Sequence, residues 1–220
     1  MVGVPGRPAL REPQLPTLAD TDDDLEHEAL FRRLRFAGRD LSGQEADVVE
    51  FDQCRFERTS LAATVLDQPR FTDCVADQGD WANSRFNKPT MLRVRLADVR
   101  LTGAQWAAGT LREVTFADCR ANLVAFRFTS FAHVRFVDCN LSGADFTNAD
   151  LRRAEFVGCD LTGAQLSNAN CAGTRFAACD LAGLGGVTSL AGSTISAPDL
   201  AALSHTFAAA LGITIEASSH

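Results

Sequence analysis

Arg135-Phe136-Val137-Asp138-Cys139-Asn140-Leu141 recurs 20 residues later as Glu155-Phe156-Val157-Gly158-Cys159-Asp160-Leu161, and again as Arg175-Phe176-Ala177-Ala178-Cys179-Asp180-Leu181. Within each copy the large apolar residues stand five apart. Every fifth position from Phe36 to Leu181 gives 30 residues: 12 Phe, 11 Leu, the two Trp (Trp81 and Trp106), Met91, and the exceptions Ala46, Ala76, Ala121 and Cys171. A spacing of five is neither the period of a helix nor that of a strand. Five residues therefore make one side of a coil, and the 20-residue recurrence closes four sides into a square turn. Phe116, Phe136, Phe156 and Phe176 then stack as one ladder, and Leu141, Leu161 and Leu181 as another. About seven and a half turns, at the roughly 4.8 Å spacing of neighbouring strands, give a rod about 36 Å long.

The residue two before each centre follows a second rule. From Thr59 to Cys179 every one is Ala, Cys, Gly, Pro, Ser, Thr or Val; Leu34, Arg39 and Gln44 depart from it at the start. The large centre and the small residue point inward, and the other three of each five point outward. Cys54, Cys74, Cys119, Cys139, Cys159 and Cys179 occupy small positions and Cys171 a centre. Stacked side chains run parallel rather than toward one another, so the seven cysteines read as small buried hydrophobes, not as disulfides or metal ligands. The 15 Phe and absence of Tyr fit a narrow tube with no partner for a phenolic oxygen.

Ala144-Asp145-Phe146-Thr147-Asn148 and Ala149-Asp150-Leu151-Arg152-Arg153 match the unit A-(D/N)-L-x-x. On these units the chain resembles the pentapeptide-repeat family over about residues 31–186. The resemblance implies an all-β solenoid, a right-handed quadrilateral parallel β-helix. The stretch 66–111 is less regular. Pro69, Gly79, Pro89 and Gly109 fall at small positions, and a proline removes an amide donor from the ladder. Two readings follow: an irregularity that the stack tolerates, or a bend shaped for a partner.

Residues 1–30 hold Pro5, Pro8, Pro13 and Pro16 and then the acidic run Asp20 to Glu28. They read as a flexible tail, with its end either a short capping helix or further tail. Residues 187–220 read as a cap over the open end of the solenoid. Ser196-Ala197-Pro198-Asp199 signals a helix start, Leu200, Leu203, Phe207 and Leu211 form an apolar stripe, and Gly212 is a stop. Ile213-Thr214-Ile215 reads as a short strand. The chain is similar here to the bacterial quinolone-resistance pentapeptide proteins. That similarity implies a C-terminal homodimer, with the four apolar residues at its seam.

No catalytic constellation is legible. His27, His133, His205 and His220 share no spacing with acids or cysteines, and no phosphate loop, dinucleotide fingerprint or metalloprotease motif occurs. The expectation is a protein without catalysis, cofactor or metal. The start lacks a secretory signal, and no apolar run reaches the ~18 residues of a membrane span. The chain is therefore expected in the cytoplasm, away from membranes, and its acidity disfavours direct nucleic-acid binding.

The quinolone-resistance resemblance implies mimicry of duplex DNA toward DNA gyrase, with modulation of the enzyme or protection from its poisons. Charge qualifies that implication. The net charge is −7, but residues 1–30 carry 2 basic and 7 acidic groups while residues 31–186 carry 19 of each. Residues 136–186 are acidic, with Asp138, Asp145, Asp150, Glu155, Asp160 and Asp180 against three arginines; Asp199 and Glu216 add to that end. These acids are the candidate partner-binding surface. Arg35, Arg55, Arg95, Arg135 and Arg175 share one 20-residue phase and should form a basic stripe broken by Glu155. A general protein-interaction scaffold is the alternative function.

Overall fold

The computed structural model describes residues 10–214. Outside them lie residues 1–9 of the expected tail, Ile215 of the expected strand, Glu216 and His220.

The chain winds into a right-handed quadrilateral parallel β-helix. Side I carries centres Phe31 through Cys171, side II Phe36 through Phe176, side III Leu41 through Leu181 and side IV Ala46 through Leu166. Every one of the 30 centres from Phe36 to Leu181 is buried, none above 2% exposed, and Phe31 at the open end is buried at 6%. Neighbouring coils pair in parallel 20 residues apart, as in Phe116↔Phe136 and Phe136↔Phe156. On side II the rings follow that register face to face, with centroids 4.6 Å apart for Phe116–Phe136, 4.9 Å for Phe136–Phe156 and 5.1 Å for Phe156–Phe176. The small positions from Val49 to Cys179 are likewise buried.

The corners are made in one way. From Arg33 to Gly183 the residue two after each centre has a left-handed backbone, and 23 of these are not glycine. A left-handed residue turns the chain sharply while its N–H still reaches the next coil, as when Gln53 N donates to Thr72 O at 2.8 Å. Only glycine adopts this conformation freely, and Asn and Asp tolerate it. Val48, with φ 55°, is the β-branched exception among the described corners.

The small position has a chemistry beyond size. Thr59 Oγ1 donates to Phe36 O at 2.6 Å, Thr129 Oγ1 to Trp106 O at 3.0 Å and Thr174 Oγ1 to Leu151 O at 2.7 Å. Cysteine thiols take the same route, Cys54 Sγ to Phe31 O at 3.2 Å and Cys179 Sγ to Phe156 O at 3.5 Å. A short hydroxyl or thiol thus bonds a centre's carbonyl one coil back, and its polarity is satisfied inside the tube.

The prolines do not disturb the stack. Thr90 N donates to Pro69 O at 2.9 Å and Thr110 N to Pro89 O at 2.8 Å. The ladder uses the proline carbonyls, and the register runs unbroken from Arg70 through Thr90 to Thr110.

Both ends differ from the sequence expectation. Residues 10–20 lie against the rod, and Ala19–Asp20 pairs with Leu34–Arg35. No helix forms over the acidic run. Leu25 is buried as a plug, its N–H donating to Gln44 Oε1 at 2.8 Å, while Arg39 Nη2 donates to Asp24 Oδ1 at 3.1 Å. Arg39 and Gln44 therefore break the small-residue rule because in the first coil that position faces an open end, where long side chains hold the cap. At the other end, Thr194–Ile195 pairs with Arg175–Phe176, so the side II ladder gains a rung inside the segment expected as cap. Two short helices follow, α1 (Ala197–Ala202) and α2 (Ser204–Ala210). Ser196 Oγ accepts from Asp199 N, as the capping signal implies, and Gly212 ends the segment with φ 69°. Ile213 and Thr214 form no strand.

Candidate protein-binding surface

The outward acids divide into those the fold uses and those it leaves free. Asp145, Asp150, Asp160 and Asp180 each precede a centre, and each accepts a hydrogen bond from the N–H two residues on: Thr147 at 2.9 Å, Arg152 at 3.2 Å, Thr162 at 2.9 Å and Ala182 at 3.0 Å. These side chains brace the corners as Asx turns. Asn140 does the same to Ser142 N at 3.0 Å, so the role needs the oxygen and not the charge.

Three of the six candidate acids are neutralised by arginine. Arg127 Nε donates to Asp145 at 2.5 Å, Arg152 Nη2 to Asp150 at 2.6 Å, and Arg135 Nε to Glu155 at 2.9 Å. Burial pushes the Asp145 carboxyl up, but hydrogen bonds from Thr147 and Arg127 outweigh it and leave the group below its usual 3.8. The Arg152 guanidinium holds Asp150 below the same value. Glu155 is itself buried, only 8% exposed. The expected six-acid surface therefore does not exist as such.

Asp138, Asp160 and Asp180 remain, and the structure adds two acids that the sequence reading missed. Asp98, Asp118 and Asp138 stack at the corner between sides II and III, with φ 52°, 53° and 51°. Asp160 and Asp180 continue the row on the adjoining side III, bridged in register with each other and with Asn140. Among the described residues these five carboxylates enter no ion pair. The signal for Asp98 and Asp118 was the same 20-residue period, counted backward from Asp138. Arg100 on side III is held by Asp80, whereas Arg120 stands beside the row without an ion pair among the described residues. From Asp138 to Asp180 the positions along this edge carry no cation.

The basic stripe exists in register, but four of its five arginines are paired. Arg35 pairs with Asp20, Arg55 with Asp77 at 2.7 Å, Arg95 with Asp77 at 3.7 Å and Arg135 with Glu155 at 2.8 Å.

The C-terminal seam is also redistributed. Leu200 and Leu211 are 48% and 74% exposed, and Phe207 packs partly on the core. Leu203 is fully buried under the cap, so it cannot lie on an outward seam; the break between α1 and α2 turns it inward. Asp199, counted among the acids of this end, is buried and accepts Cys179 N at 3.0 Å, closing the last coil.

All seven cysteines are buried free thiols. Thiol–thiol hydrogen bonding and burial push Cys139 and Cys159 up to about 12, and burial does the same to Cys171. Cys119, which accepts from Cys139 in that row, is shifted down by that bond, but its side chain is closed off inside the tube. Among the described residues no group of three His, Cys, Asp or Glu is placed to hold a metal ion.

The architecture defines a solenoid of five-residue sides whose outward positions are free for recognition. A family model described as pentapeptide repeat region matches residues 89–166 and 129–185 of this solenoid. No curated protein sequence matches. Similar solved structures include HetL from the cyanobacterium Nostoc sp. strain PCC 7120, a pentapeptide-repeat protein involved in heterocyst differentiation regulation. It is 14% identical, with 76% of this chain and 85% of that chain covered and a TM-score of 0.40. A trypsin-treated form of QnrB1, a plasmid-mediated fluoroquinolone resistance protein, is 20% identical, with 90% and 96% covered and a TM-score of 0.33. A pentapeptide-repeat protein from the Arabidopsis thaliana thylakoid lumen is 21% identical, with 61% and 66% covered and a TM-score of 0.17.

Proposed function

We propose that this chain is a non-catalytic, DNA-mimicking protein that binds DNA gyrase in the cytoplasm and modulates it or protects it from quinolones and other poisons. One observation carries the reading: five carboxylates without ion pairs among the described residues run along one edge of a rigid rod, at Asp98, Asp118, Asp138, Asp160 and Asp180. A row of fixed like charges on a narrow support is what a protein groove built for a nucleic-acid backbone would accept. In this reading two copies join through their C-terminal caps, with Leu200, Leu211 and the edge of Phe207 at the seam. The acidic ends then meet at the centre of the dimer.

The test is a supercoiling assay with purified protein, with and without ciprofloxacin, beside the triple variant Asp138→Asn/Asp160→Asn/Asp180→Asn. Asn140 performs the bracing role of Asp160 and Asp180 in their own register, and Asn148 and Asn168 hold the left-handed corner conformation that Asp138 adopts, so the variant removes charge and keeps the fold. Micromolar parent protein should alter gyrase activity, steeply less so at higher salt, and the variant should lose the effect. No effect of the parent excludes the reading.

A second reading, an interaction scaffold for another protein, has its own support in Leu123 and Phe128. They are 63% and 62% exposed at the two corners that flank side IV. It predicts gyrase indifference together with a captured partner that Leu123→Ser/Phe128→Ser releases.

A further inference from the structure

Residues 10–18 cross the coils instead of following them. They run along the corner between sides I and II, where Gln53, Asp73, Arg93 and Glu113 are successive rungs. The main chain of Gln14 is bracketed there: its N–H donates to Asp73 Oδ1 at 3.3 Å, and its carbonyl accepts from Gln53 Nε2 at 3.2 Å. Arg11 lies 3.6 Å from Glu113. Asp73 and Glu113 are two coils apart, roughly 10 Å at strand spacing, and three residues of extended chain span about the same distance. The segment is therefore extended and in step with the rungs. Pro13 and Pro16 hold that conformation in advance. Leu10, Pro13, Leu15 and Leu18 are half-buried, and the residues between them are exposed.

The charges of the corner are complementary to the segment. Arg93 makes two hydrogen bonds to Asp73, at 2.7 and 2.6 Å. Glu113, whose side chain is only 10% exposed, is then the carboxylate in excess on these rungs. Arg11 supplies the missing cation while remaining 74% exposed. Before Ala19 no β-ladder joins the segment to the rod among the described residues. Among the described residues its hold consists of side-chain brackets on the main chain of Gln14 and one ion pair at the rim, beside the half-buried apolar side chains. Main-chain brackets combined with a charge and alternating apolar side chains are how proteins recognise extended peptides.

We propose that this corner is a docking site for an extended, proline-containing peptide of a partner protein, with a basic residue three positions before the bracketed one. The chain's own residues 10–18 occupy it in cis. A tethered segment acts at an effective concentration in the millimolar range, so an outside peptide of ordinary affinity is excluded until the strap lets go. This site is independent of the acidic row and of the gyrase reading.

The experiment uses the full chain and a fluorescein-labelled synthetic peptide with the sequence of residues 7–20, followed by anisotropy. In the variant Arg11→Glu/Gln14→Pro the strap loses its cation and its bracketed N–H, while the rod is untouched. That variant should bind the peptide at least tenfold more tightly than the parent, and adding Glu113→Lys should cancel the gain. Lysine is tolerated at such a corner, as Lys88 shows with φ 48°. Equal binding by the parent and the strap variant, including none by either, overturns the proposal. So does a gain that survives Glu113→Lys.

Discussion

Adding one oxygen atom to the core is the sharpest test of how this rod is built. Phe136 is fully buried. It is stacked between Phe116 and Phe156 at 4.6 and 4.9 Å, with Phe126, Phe131 and Phe146 around it at 6.1 to 6.2 Å. A hydroxyl on this ring would meet other rings and no polar group. Leaving it without a partner costs about 1–3 kcal/mol. Forcing it into a packed core costs about 1–3 kcal/mol more. Phe136→Tyr should therefore destabilise by about 3–4 kcal/mol, which for a chain of this size lowers the melting midpoint by roughly 6–16 °C. The control is Phe128→Tyr, the same change on a ring that is 62% exposed, with an expected effect within about 0.5 kcal/mol. Thermal and urea melts followed by far-ultraviolet circular dichroism read both. A Phe136→Tyr cost below about 1 kcal/mol would refute the account of the missing tyrosines, because a buried hydroxyl without a partner cannot be that cheap.

The two tryptophans should respond differently to Trp→Phe. Trp106 Nε1 donates to Ser84 Oγ at 3.1 Å, whereas Trp81 Nε1 is buried without a partner, so Trp106→Phe should cost about 1 kcal/mol more in urea melts. Val48→Asn should raise the urea midpoint, since it relieves a left-handed β-branched residue, a strain of roughly 1–2 kcal/mol; a lower midpoint would contradict the strain. Asp73, held down by Arg93, and Asp150, held down by Arg152, sit below the usual 3.8 in the folded chain. Depressed carboxyls add stability that is complete above their unfolded value and drains as pH falls through the folded one. The midpoint should thus stay level from neutral pH to about pH 5 and fall below about pH 4, and a fall already between 7 and 5 would contradict this. A chromogenic disulfide reagent should label none of the seven thiols in the native protein and all of them in denaturant; fast labelling of any native thiol would show an opening in the tube.

The tube was legible because its core positions are dictated by volume and leave a strict period. Phe116 to Phe176, the small residues and the ladder of cysteines all follow from counting in fives and twenties. The corners were not legible in that way. A left-handed backbone favours glycine or asparagine, yet Arg58, Glu113 and Phe128 adopt it because the coil above and below dictates the bend. The ends escaped the period because they are where it stops. Gln44 looks like a broken repeat until Leu25 is seen bonded to it, and Leu203 looks like a seam residue until the break between α1 and α2 turns it inward. A single stripe of apolar residues on a helix does not say which of them faces the core.

Charge required three dimensions for a different reason. The notion of an acidic end treats every carboxylate as available, but the coil geometry brings residue n beside residue n+20. An arginine there cancels an acid distant in the sequence, as Arg135 does for Glu155 and Arg93 for Asp73. The main consequence of such pairs for recognition is subtraction. They remove Asp145 and Glu155 from the field that a partner meets, as the neighbouring Arg152 removes Asp150, and they erase most of the arginine stripe. What remains is set by the rungs where no cation falls in register: Gly158 follows Asp138 at one corner, and Asn140 precedes Asp160 and Asp180 on the next side. A free carboxylate row on such a solenoid is thus a property of the 20-residue phase and not of composition. A partner that reads this rod by charge reads that phase.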